Sequence, residues 1–128
     1  ALLRARSGEL SFSEYGYQGR TPTAFQFNGG QCYLSLSAYE HAGACTLLVF
    51  RGLEEPVQAQ AEERIVSLSV SGGTVGALLD QQLVLFDAAT GQELARAEAG
   101  SDAKSIALSS ESSAYVLGVS EIRRLQVR

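Results

Sequence analysis

Apolar and polar residues alternate along most of this chain in short runs, and Gly, Asn, Asp and Ser break the runs. A period of two predicts strands with one face turned inward. Residues 23–27 place Phe25 and Phe27 on one side. Asn28-Gly29-Gly30 follows, a hairpin signal, because Asn and Gly tolerate positive φ. Over 32–38, Cys32, Leu34 and Leu36 alternate with Tyr33, Ser35 and Ser37. Residues 46–50 form a continuous apolar run, as expected of a strand covered on both faces. Residues 57–61 alternate again behind Pro56.

The same grammar returns twice. The second copy runs through 65–70, a turn at Ser71-Gly72-Gly73, 74–79, a turn at Asp80-Gln81, the apolar run 82–86, a turn at 87–91, and 92–97. The third runs through 104–108, a serine-rich turn at 109–112, 113–117 and 121–127. Gly29-Gly30 and Gly72-Gly73 are 43 residues apart, and Leu83 and Ile122 are 39 apart. A period near forty predicts a unit of four antiparallel strands, which buries both faces only by stacking on neighbouring units. The units span approximately 23–61, 65–97 and 104–128. Residues 1–17 contribute extra strands, a third-strand-like piece at 2–6 and a fourth-strand-like piece at 9–15. The last unit lacks a fourth strand, and the N-terminal segment is expected to supply it.

Two regions compete for helix. Residues 53–64 and 92–100 hold Glu, Ala and Gln, all good helix formers. Pro56 and the alternation of Val57, Ala59 and Ala61 favour strand in the first, and the preceding turn favours a hairpin in the second.

Residues 83–97 read LVLFDAATGQELARA. This resembles the hairpin between third and fourth strands of bacterial β-propeller repeats, of the quinoprotein type and the lactonase-like relatives of WD repeats. Asp87 can accept bonds from backbone amides two residues on, Thr90 completes the pattern, and Gly91 can take the left-handed conformation that ends the turn. The resemblance covers 23–128 and implies an all-β fold. That fold would consist of antiparallel four-stranded repeats of about 40 residues, a partial or oligomer-completed β-propeller. Known propellers use roughly four to eight blades, so three units fall short of a ring. The chain is also similar to an uncharacterised bacterial propeller domain found behind a single membrane helix, which implies an extracytoplasmic place. It departs from these families where ligands are concerned: it has no Trp, no Gly-His or Trp-Asp pair, and no sialidase-type Asp-box.

Composition narrows the function. The chain has 128 residues, 45% hydrophobic and 19% charged, enough for a folded core. A net charge of −4 argues against nucleic acid, whose phosphates need a basic face. No apolar run approaches a membrane span. The chain begins at Ala1 rather than Met, which implies a processed leader or an excised fragment. The excess of Arg over the single Lys104 reads as codon bias. In a hairpin that sets Ala38 opposite Cys45, Cys32 lies far along its strand, so both thiols are expected free.

Catalytic constellations are missing. His41 is the only histidine and reads as a solvated turn residue; with no CxxC pair, a zinc site has no ligand set. Asp80, Asp87 and Asp102 lack a nucleophile elbow to serve. The glycines at 72–76 lack the Lys of a phosphate loop. Glu54-Glu55 and Glu62-Glu63 read as a solvated face. No catalytic residue, metal or cofactor is expected.

Two features point to binding. Arg123 and Arg124 sit in an alternating strand, so one of them stands where the other units have an apolar residue; a partner's acidic group or edge protection would explain it. Tyr15, Tyr17, Phe25, Phe27 and Tyr33 concentrate in the N-terminal third; they read as core, with an exposed interface as the alternative. Tyr15-Gly16-Tyr17 reads as a loop presenting a surface. The expected function is a noncatalytic binding or assembly module, recognising a protein or small ligand through rim loops, with a protein partner or self-association through exposed flanks. An enzyme with its site in a central channel and a purely structural self-associating repeat are the alternatives.

Overall fold

A computed structural model describes residues 2–6, 9–13, 15–17, 19–37, 45–52 and 55–127, with side chains from Tyr15 onward. These residues form thirteen strands and no helix. The two ambiguous regions are strands, because each alternates: Ala59 and Ala61 turn inward while Gln58 and Gln60 stay exposed.

Strands β1 (Leu2–Arg6) and β2 (Glu9–Ser13) pair with each other as a separate two-stranded sheet. The first four-stranded sheet holds β3 (Thr21–Asn28), β4 (Gln31–Ser37), β5 (Cys45–Arg51) and β6 (Val57–Ala61). The second holds β7 (Ser67–Ser71), β8 (Thr74–Leu78), β9 (Gln82–Asp87) and β10 (Glu93–Glu98). The third holds only β11 (Ser105–Leu108), β12 (Ser113–Leu117) and β13 (Ile122–Gln126). Every pairing joins sequence neighbours in antiparallel order, and no sheet closes on itself. The N-terminal segment does not complete the third sheet. A hairpin between β1 and β2 closes a far shorter loop than a pairing across the whole chain, so the local partner wins.

The sheets stack face to face. Tyr33, Leu47, Val49 and Ala59 of the first sheet meet Leu68, Val75, Ala77 and Val84 of the second in one core. Leu78, Leu83 and Leu85 on the opposite face of the second sheet meet Ile106, Ala114 and Val116 of the third. The first strands lie side by side, β3 against β7 and β7 against β11. Between the latter two, Ser67 and Ser69 accept bonds at Oγ from the amides of Ile106 (3.2 Å) and Leu108 (2.8 Å). Gly76 permits that approach, since a Cβ there would lie 3.0 Å from Leu108 Cδ2. The central third strands, 45–51 and 82–87, are buried on both faces, as their apolar runs predict.

One register departs from expectation. Ser37, not Ala38, stands opposite Cys45. A run that is apolar on both faces does not encode which face belongs inside, so its register escapes a reading based on alternation. Cys32 pairs with Phe50, five positions along, and both cysteines are free thiols.

The turns follow local chemistry. Gly29 and Gly30 both take positive φ (59° and 79°), as does Gly72 (58°), while Gly73 follows it in the second hairpin. Asp87 Oδ1 accepts from the Ala89 amide at 2.8 Å, Thr90 Oγ1 from Gln92, and Gly91 takes φ 78°.

Candidate interaction surface

The third sheet repeats the second strand for strand. The β12–β13 partners Leu117 and Ile122 correspond to the β8–β9 partners Leu78 and Leu83, each 39 residues earlier. Tyr115 and Arg124 correspond in the same way to Gly76 and Leu85. In the second sheet this face is sealed: Leu78 and Leu83 are 0% exposed. In the third sheet nothing among the described residues covers it, and Leu117 and Ile122 are 51% and 63% exposed. Tyr115 and Arg124 lie exposed beside them, as the next pair on the same face.

The two arginines fall on opposite faces, because neighbours on a strand alternate. Arg123 turns toward the second sheet, at the position of the buried Val84. Its guanidinium donates to the Ala99 carbonyl (2.8 Å), to Asp102 Oδ1 (2.8 Å) and to Glu121 Oε1 (3.3 Å). The hydrogen bond from Arg123, then one from the Val119 amide, holds the Asp102 carboxyl below the ordinary carboxylate range. Arg123 is therefore a clasp for the 99–102 connection. Arg124 is the arginine on the open face.

Tyr15 and Tyr17 lie at the other end of the stack. The Tyr15 ring meets Phe50 edge-on with centroids 5.4 Å apart, on the first-sheet face that carries Leu34, Leu36 and Leu48. Its hydroxyl accepts from Arg20 at 3.2 Å. The exposed Tyr17 offers its carbonyl to the Arg20 amide and Nε. The structure thus does not bring the tyrosines together with the arginines.

At that same end stand two aromatics whose expected burial is overturned. Phe25 and Phe27 are 63% and 67% exposed. They lie on β3, an edge strand of the first sheet, on the face turned away from the second. The 43-residue offset carries them onto Leu68 and Val70, which pack against the first sheet's core. The offset thus places Phe25 and Phe27 where the second sheet has residues packed on the sheet before it.

The rim turns serve the stack. Asn28 Nδ2 donates to the Val70 carbonyl (3.3 Å), and Glu111 accepts from the Gly73 amide (3.1 Å). Gly91 rests on β6, where a Cβ would collide with the Gln58 carbonyl. On the opposite rim, Glu62, Glu63, Asp80, Gln81, Gln82 and Glu98 line an open polar cleft of about 270 Å³. Beside it Arg96 bridges Glu93 (2.6 Å) and Glu62 (2.7 Å). Its hydrogen bonds lower both carboxyls, and the pair raises the guanidinium. No group of three or more His, Cys, Asp or Glu among the described residues is placed to hold a metal ion. Burial pushes the Cys32 thiol up, against a smaller opposing effect of the N-terminal charge. His41 and Glu54 lie outside the described residues. No described helix is long and apolar enough to cross a membrane.

No protein-family model and no curated protein matches the chain. Among solved structures it is similar to the crystal structure of the computationally designed Ika4 protein, with a TM-score of 0.50 and 11% identity. That match covers 91% of this chain and 96% of the designed one, and at such identity it concerns the fold alone.

Proposed function

We propose that this chain is a noncatalytic assembly module, a partial β-propeller whose sheets act as blades and whose last blade offers an open face to a protein partner. One observation carries the reading: Leu117 and Ile122 are exposed at positions where the second sheet buries Leu78 and Leu83 completely. A contiguous apolar face on a folded domain marks an interaction site. The side-by-side order of β3, β7 and β11 supports blades arranged around one axis. The turns at Asn28, Gly73 and Gly91 are engaged in holding blades together and the opposite rim is polar, so the apolar face, with Tyr115 and Arg124 on it, is the contact surface. The net charge of −4 favours a protein there over a nucleic acid.

The test is a photo-crosslinking residue at position 117 in the chain expressed in its own cells. The reading expects adducts of discrete mass that vanish when Ile122→Glu is added. Absence of any adduct, with the protein folded and present, would contradict it.

A further inference from the structure

We infer that the occupant of the open face is a second copy of this chain, docked head to tail so that its Phe25–Phe27 strip meets Leu117 and Ile122. The inference rests on the assembly reading above and names its partner.

Each contact inside the chain joins the trailing face of one sheet to the leading face of the next. In the second such contact, Leu78, Leu83 and Leu85 pack with Ile106 on β11 and with Ala114 and Val116 on β12. Among the described residues two halves of this arrangement are left uncovered, one on the first sheet and one on the third. Leu117 and Ile122 repeat Leu78 and Leu83; Phe25 and Phe27 repeat Leu68 and Val70, which in turn stand 38 residues before Ile106 and Leu108. Both halves are apolar and both are exposed. The strand backbone fits as well. Ser67 receives the Ile106 amide at 3.2 Å. Ser105, whose hydroxyl also bonds the Ser67 hydroxyl at 3.2 Å, stands 38 residues on at the equivalent place in β11, where it would receive the Phe25 amide of the next copy. The central strands β4 and β5 of the first sheet already have Leu34, Leu36, Leu48 and Phe50 buried on this face, so the edge strand β3 offers the docking strip.

Unlike faces that meet make a heterologous contact, which either closes into a ring or extends as a filament. This predicts an asymmetric test with full-length chains. The wild type associates with concentration in sedimentation velocity. Ile122→Glu removes the trailing face and Phe27→Glu removes the leading strip. Each variant alone stays monomeric, with its melting temperature kept because both sites are exposed. An equimolar mixture recovers dimers and nothing larger, since one copy keeps an intact trailing face and the other an intact leading strip. If Phe27→Glu still self-associates while Ile122→Glu does not, the contact joins like faces and the inference is overturned. If the wild type stays monomeric up to about 1 mM and the residue-117 crosslinker captures a different protein, the second copy is overturned while the assembly reading stands. Monomer with no adduct removes both.

Discussion

The second and third sheets are made from matching strand pairs, yet one is sealed on both faces and the other on one. Leu83 and Ile122 occupy the same register position; the first is fully buried and the second is 63% exposed. Local pattern therefore builds the sheet, while the neighbour decides what each apolar side chain contributes. The comparison also separates stability from interaction: buried positions hold the chain together, and their exposed counterparts are free to hold something else.

The largest expected effect comes from the sealed sheet. Leu85→Ala removes a fully buried side chain from the core shared with the third sheet, and urea unfolding should show a loss of roughly 2–5 kcal/mol. An unchanged midpoint would break the assignment of β9 as a strand covered on both faces. Next comes Gly91→Ala. It forces a side chain onto positive φ and against the Gln58 carbonyl, so a loss of about 1–3 kcal/mol is expected from the same measurement.

Acid should act more weakly. Arg96 lowers Glu62 and Glu93, and Arg123 lowers Asp102. A folded carboxyl held low stabilises fully above its unfolded value, about 4. That share is lost as pH falls through the depressed folded values. Melting temperature should therefore hold from pH 7 to 5 and decline below about 4, and 1 M salt should blunt the difference because these pairs are partly exposed. The smallest effect belongs to Leu117→Ala, which in dilute protein should move stability by no more than about 0.5 kcal/mol. A loss comparable to that of Leu85→Ala would mean the third sheet is covered after all.

Much of this architecture was readable from residues. Asn28-Gly29-Gly30 and Asp87 through Gly91 specify their turns by local chemistry, and the alternation at 57–61 outweighed its helix formers. The offsets of 43 and 39 residues gave the stacking unit. What alternation could not supply was the partner of each face. The doubly apolar run at 46–50 left its register open, so Ser37 rather than Ala38 pairs with Cys45. Phe25 and Phe27 read as core by composition, yet burial depends on a preceding sheet at β3 that no residue pattern within the strand can announce. Arg123 and Arg124 were visible as a pair, but only the register separates the clasp from the face residue.

The most direct test of the account compares thiol labelling of Leu78→Cys and Leu117→Cys, each in a chain with Cys32 and Cys45 replaced by Ala, at a concentration where copies do not associate. The two positions share one place in their sheets. The account predicts that Cys at 117 reacts at close to the rate of an unfolded thiol while Cys at 78 reacts only when the protein unfolds. Equal protection at both positions would contradict it.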